Sequence, residues 1–277
     1  MNLLLRAIAQ DYSILGQIAR RALRHLPIIH RDLSLREKLR LDQFPRTRYA
    51  YCVTRAAQLA ARLGYNAVSV LEFGVAGGNG LVALEEIKRI IENHMTIDIR
   101  IFGFDLGNGL PSPRDYRDLP YHWRTGFYEM DIDRLRNRIT SAELIIGPIS
   151  QTIHEFISVS HDTAPVGMIA FDLDYYSSTA ESFAVFEIEC NGILPRVMCY
   201  MDDVIGVSEC FSDFTGERLA IDEFNETHAK QKISRCYDFG DFRIERWQEQ
   251  VMIYHDFGHP LYDRYVGDEA DTQLPLT

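Results

Sequence analysis

Apolar positions recur along this chain with two periods, and their alternation lays out the fold. Val68, Val70, Leu71 and Phe73 form a β-branched, apolar run that ends in a turn holding Gly74, Gly77, Gly78 and Gly80. From Leu81 to Asn93 the period becomes helical, with Leu81, Leu84, Ile87, Ile90 and Ile91 on one stripe. The same reading predicts strands at Ile99 to Phe104, Ala142 to Ile146, Val166 to Phe171 and Val197 to Met201. It predicts helices running to about Cys190 and from Arg218 to Ala229, and a closing pair of strands at Asp241 to Trp247 and Gln250 to Tyr254. Upstream, Arg48 to Leu63 reads as a helix stopped by Gly64. Strands alternating with helices imply an α/β fold, a Rossmann-like, mainly parallel sheet with helices on both faces.

Residues 1–63 read as an N-terminal helical extension, 64–266 as the ligand-binding domain and 267–277 as a loosely held tail. Leu4, Ile8, Leu15 and Ile18 suggest an amphipathic helix at the start, and the RDLSLREKLR stretch is expected to be exposed. Leu3 to Leu5 is cut off by Arg6 with no cleavage-like site after it, which argues against a signal peptide. The N-terminal apolar helices read as a cover over the active site or as a dimer face, and a homodimer is the expectation taken.

Charge narrows the partners. The chain has 277 residues, 46% of them hydrophobic, with 40 acidic against 29 basic residues and a formal net charge of -11. That balance lacks the electrostatic footprint of a nucleic-acid binder and suits a small-molecule enzyme, with acids that invite a cation. No apolar stretch reaches the roughly 18–20 residues needed to span a bilayer. Five cysteines without a C-x-x-C pair fit reduced thiols better than zinc, so a cytoplasmic, soluble protein is expected.

Four predicted strand ends carry acid: Glu72, Asp105, Asp172 with Asp174, and Asp202 with Asp203. In open α/β sheets ligands bind beyond the carboxyl ends of the strands, so these acids would converge on one cleft. A strand, a glycine turn and a helix bring backbone N–H groups against a nucleotide-like ligand. Asp105 stands where a carboxylate accepts hydrogen bonds from both hydroxyls of a ribose, a device shared with NAD enzymes. Carboxylates as close as those of Asp172, Asp174, Asp202 and Asp203 would repel one another, and an all-oxygen set suits Mg²⁺, Mn²⁺ or Ca²⁺. The stretch 106–126 is long for a βα loop and reads as a lid; its Tyr116, Tyr121 and Trp123, with Tyr128 just after it, either stack on an acceptor or anchor the loop.

The pattern Glu72, Gly74, Ala76, Gly78 resembles motif I (E/D-x-G-x-G-x-G) of class I S-adenosylmethionine (SAM)-dependent methyltransferases. FDLDYYSST (Phe171 to Thr179) followed by MDDVIG is similar to the D-x-D-x-Y-x-S-T and D-D-Y/F blocks of the macrocin O-methyltransferase family, metal-dependent sugar O-methyltransferases of macrolide biosynthesis. GNGLP (Gly107 to Pro111) is similar to that family's S-F-x-G-L-P stretch. The resemblance covers about Leu71 to Asp203. It departs at Leu106-Gly107-Asn108, which replaces Ser-Phe, and at Val204, which replaces an aromatic.

The resemblance implies SAM contacts at Glu72, Gly74, Ala76, Gly78, Asp105 and Asp172. It also implies metal ligation by Asp202, Asp203 and one of Asp172 and Asp174. The expected activity is Mg²⁺-assisted methyl transfer to a hydroxyl of a sugar or catechol-like metabolite, with Asp172 and Asp202 at the reacting centre. His255 is the candidate general base, and His122 in the lid is a second. The alternatives are a cephalosporin hydroxylase-like enzyme on the same fold, an NAD(P)-dependent oxidoreductase and a catalytically silent binding scaffold.

Overall fold

The computed structural model describes residues 15, 33–159, 161, 163–206, 208–240, 242 and 244–267. The expected helix at residues 1–23 and the tail after 267 lie outside them, apart from Leu15, which is exposed. The elements are α1 (Leu35–Arg40), α2 (Thr47–Leu63), β1 (Ala67–Phe73), α3 (Asn79–Glu92), β2 (Asp98–Asp105), α4 (Ile132–Arg136) and β3 (Glu143–Ile146). They continue with α5 (Ile149–Ile157), β4 (Val166–Phe171), α6 (Tyr176–Ser182), β5 (Ile193–Met201), α7 (Gly216–Thr227), β6 (Gln231–Arg235) and β7 (Val251–Asp256).

Seven strands form one sheet in the order β3-β2-β1-β4-β5-β7-β6. The first five are parallel, and β7 runs antiparallel between β5 and β6. This is the mainly parallel α/β sheet the periodicity predicts. β1 and β4 are buried at every position, the continuous apolar reading of strands covered on both faces. Helices α1 to α3 form one layer, and α5 to α7 the other. No helix among the described residues is long and apolar enough to cross a membrane.

Strand order reverses between β1 and β4, because the chain runs outward through β2 and β3 before crossing back. Ligands in such sheets bind at that reversal. Its floor is a row of three phenylalanines in register, Phe104, Phe73 and Phe171, with ring centroids 5.0 and 5.4 Å apart and edges turned to faces.

Three expectations need correction. The first closing strand is β6 at Gln231–Arg235, whereas 246–250 is a 3₁₀ turn. The alternation of Lys232, Ile233 and Ser234 is too short to stand out by itself, and the ladder with β7 selects it. The helix after Asp174 ends at Ser182 and continues as a 3₁₀ turn over 183–187. The boundary at residue 63 also fails as a division, because α2 packs on β1, β4 and β5 with ten buried residues and belongs to the domain. Its neighbour α1 is half inside too: a Ser34–Glu37 capping box starts it, and Leu35, Lys38 and Leu39 are buried.

Candidate active site

The turn after β1 is held in shape by Asp105. Its Oδ2 accepts hydrogen bonds from the backbone N–H groups of Val75 (2.9 Å) and Ala76 (2.8 Å), and Oδ1 accepts from that of Gly107 (2.6 Å). The carboxylate at the end of β2 thus fastens both neighbouring strand-end loops together. It also holds Ala76 at φ +46°, a left-handed conformation costly for any residue with a Cβ. Gly74 lies at φ +84°, and a Cβ there would meet the Asp172 carbonyl oxygen at 1.7 Å. Only glycine lets β1 and β4 close up at this level.

Beneath the first turn of α3 sits Glu72, fully buried. A Cβ on Gly80 would strike its Oε1 at 1.7 Å, so the bare helix turn makes room for the carboxyl. Tyr49, from α2, donates its hydroxyl to that Oε1 at 2.9 Å, while Oε2 has no partner among the described residues. Burial pushes the Glu72 carboxyl up to about 8, opposed by the Tyr49 hydrogen bond and reinforced by Asp172.

Beyond β4 and β5, Asp172, Asp202 and Asp203 each offer a carboxylate oxygen within 4.8 Å of the others. Asp174 is not in this triad. It takes the left-handed conformation (φ +60°), which aspartate tolerates, and its backbone N–H donates to Asp203 Oδ2 at 3.2 Å. The pair that the sequence left open is thereby divided: Asp172 joins the triad and Asp174 braces it. Asp202 Oδ1 accepts from the Tyr200 hydroxyl (2.7 Å), and its backbone carbonyl accepts from Gln250 (2.6 Å). Burial, then the neighbouring carboxylates, push Asp172, Asp174 and Asp203 above the ordinary range.

The glycine turn and the triad open into one cavity of about 760 Å³. Glu72, Gly74, Ala76, Asp105, Asp172, Asp174, Asp202 and Asp203 all line it. Gly78 does not; it begins α3 and packs against Leu135. Trp123 and Tyr128 face the cavity, and Trp123 Nε1 is buried without a partner among the described residues. Tyr116 and Tyr121 are exposed and line no part of it. The long loop is bolted down by Asp118, whose carboxylate accepts from Arg114 N (2.8 Å), Ser177 N (2.8 Å) and Ser177 Oγ (2.9 Å) at the start of α6.

His255 does not join the site. β7 is antiparallel, so its end lies beside Arg196 near the start of β5, at the opposite edge of the sheet from Asp202. There its Nδ1 pairs with the Tyr262 hydroxyl at 2.8 Å. His122 packs edge-on against Trp123 and Phe211 and lines no part of the cavity. His255→Ala is expected to leave ligand binding and turnover within about twofold of the parent, a surface-scale effect; a rate loss of a hundredfold would return it to the site.

No family model matches this chain, and no curated protein does. Among solved structures it is similar to the calicheamicin methyltransferase CalS11, with 18% identity over 92% of this chain and 96% of that one and a TM-score of 0.48. It is also similar to the MycE methyltransferase of the mycinamycin pathway, solved with Mg, SAH and mycinamycin VI; identity is 14%, coverage 98% and 64%, and the TM-score 0.40. The plantazolicin methyltransferase BpumL, solved with SAH, gives 13% identity, 92% and 97% coverage and a TM-score of 0.35.

Four site residues escaped sequence reasoning. Arg46 and Tyr49 lie upstream of the predicted domain, and Asp118 sits in a loop without periodicity. Glu217, at the start of α7, is fully buried; its Oε2 accepts from the Asp203 backbone N–H at 2.8 Å, and burial pushes its carboxyl well up. An acid in the first turn of a helix is ordinary, so its spacing carried no signal.

Proposed function

We propose that this protein is a SAM-dependent O-methyltransferase that uses a divalent cation, Mg²⁺ for preference, on a hydroxyl of a small sugar- or catechol-like metabolite. One observation carries the reading: an acid-flanked glycine turn and a triad of close carboxylates share one cavity. The cavity's charge favours this ligand over NAD(P). Seven acids line it, against Arg46 and an Arg114 already paired with one of them, Glu181. A pyrophosphate would meet that field repulsively, whereas a cationic sulfonium and a divalent ion are attracted by it.

The residues fit both groups. Glu72 Oε2, buried and unpartnered, can accept a hydrogen bond from a ligand donor. The first turn of α3 presents unpaired N–H groups, and Asp105 has lone pairs left for hydroxyls after holding the turn. Asp172, Asp202 and Asp203 would hold the cation, with Asp174 and Glu217 fixing Asp203 through the backbone. Trp123 Nε1 would donate to an acceptor oxygen, and the loop pinned by Asp118 would keep water out. When bound, the cation supplies Lewis acidity that lowers the pKa of an acceptor hydroxyl.

Calorimetric titration of SAM into chelator-stripped protein, then of Mg²⁺ with S-adenosylhomocysteine present, tests both halves. Micromolar SAM affinity and one saturable Mg²⁺ site are expected, on the order of -8 kcal/mol for the former. Absence of SAM binding would overturn the reading of the turn, and SAM binding without Mg²⁺ would overturn that of the triad.

A pH dependence follows from Glu72. Its folded carboxyl titrates at about 8 against 4.5 unfolded, so the folded state binds more protons between those values. The cation-free protein should therefore lose stability as pH rises from about 4.5 to 8, by roughly 1.4 kcal/mol per pKa unit at most. Cation ligands must be deprotonated, so Mg²⁺ should raise the melting temperature more near pH 8 than near pH 5. Melting curves at both pH values, with and without Mg²⁺, check the sign.

A further inference from the structure

A second cavity, of about 400 Å³, lies between α2, β5, β7 and the segment 264–267. Arg55, Arg62, Arg196 and Arg264 line it, and no carboxylate among the described residues does. That is unexpected in a chain of net charge -11. Among the described residues only Arg55 has an acidic partner, Asp238. The other three are held by neutral main-chain carbonyls: Arg62 by Val266 (2.8 Å), Arg196 by Tyr262 (3.0 Å) and Arg264 by Leu63 (3.0 Å). A carbonyl fixes a guanidinium without cancelling its charge, so three positive charges stand around one space uncompensated among the described residues. Arg196 Nη2 is buried with no partner among the described residues, a donor lacking its acceptor. After its burial, the Arg196 charge is the next force holding the His255 imidazole below its ordinary range, as an unneutralised cation would.

We infer that this cavity binds a phosphate-bearing small anion at a site separate from the main cavity. Guanidiniums pre-set by carbonyls have spare N–H groups in the fork geometry that matches phosphoryl oxygens. The floor is apolar, made by Ala56, Leu59, Met198 and Ile253, and so accommodates the organic body of a phosphate ester. Arg46 at the start of α2 lines the main cavity, and Arg62 near its end lines this one. Sixteen residues of helix at 1.5 Å rise set them about 24 Å apart, too far for one small ligand to fill both.

Calorimetric titration of inorganic pyrophosphate into the cation-free full chain, alone and with S-adenosylhomocysteine present, tests the assignment. One saturable site is expected, with the same affinity in both conditions. Arg62→Glu, at an exposed helical position, and Arg196→Gln should each weaken it about tenfold or more. Asp203→Asn should leave it unchanged. Phenyl phosphate binding more tightly than inorganic phosphate would identify an ester as the natural class, and equal affinity a free phosphate. No binding, binding that survives both arginine variants, or loss of binding when S-adenosylhomocysteine is present would overturn the proposal. The last outcome would put the anion in the main cavity. Failure here leaves SAM and Mg²⁺ titrations untouched, so the two readings are separable.

Discussion

Asp203→Asn is expected to abolish the proposed Mg²⁺-dependent methyl transfer while leaving SAM affinity within a few-fold. The substitution keeps an oxygen for the Asp174 N–H and an unchanged backbone for Glu217, so the local fold should persist. What it removes is one of three carboxylates that lie within 4.8 Å of one another. Loss of a charged ligand weakens the hold on a divalent ion, and with it several kcal/mol of charge stabilisation, about a hundred- to a thousandfold in rate. The cation-free variant should at the same time melt higher than the parent. Asp172, Asp174 and Asp202 all push against Asp203 in the absence of a cation, and neutralising it relieves that repulsion. A gain of about 1 kcal/mol would raise Tm by roughly 2–4 °C in a chain of this size. Lower activity with higher stability is the signature of a ligand site. Full turnover in chelator would remove the triad from the reaction.

Asp105→Ala should cost SAM affinity by about a hundredfold or more, and stability as well. Asp105 accepts three backbone N–H groups, and charge-assisted bonds of this kind contribute about 1.5–3 kcal/mol each. Without them Ala76 has little to hold it in a left-handed conformation, and the turn that receives the ligand should relax. Asp105→Asn offers one good acceptor instead of two and should fall between. Calorimetry for affinity and thermal melting for stability separate two roles. Unchanged affinity with a lowered melting temperature would confine Asp105 to bracing the turn.

Much of the site was legible because its chemistry is local to strand ends. Glu72, Asp105, Asp172 and Asp202 each end or closely follow an apolar run, and a parallel sheet delivers every such end to one edge. His255 shows where that logic breaks. It too stands at the end of a predicted strand, but the end of an antiparallel strand lies at the other edge. Nothing in the apolar pattern of residues 251–256 reports direction, since alternation reads the same forward and backward. Glu217, Arg46 and Tyr49 were hidden for a related reason. Each reaches the site from an element separate from the strand ends, and single-chain spacing carries no trace of such contacts.

The sequence by itself determined the α/β architecture, the five parallel strands, the glycine turn and the acids at its rim. Those follow from hydrophobic period and from backbone sterics, which act over a few residues. The tertiary structure alone decided that Asp172 rather than Asp174 faces its partners, that Asp105 fastens the turn and that His255 stands apart. It also decided that α2 belongs to the core and that four arginines line a second cavity. These outcomes depend on strand direction, on side chains meeting across long sequence distances, and on which charges find partners after burial. Such terms arise only when the chain has closed on itself.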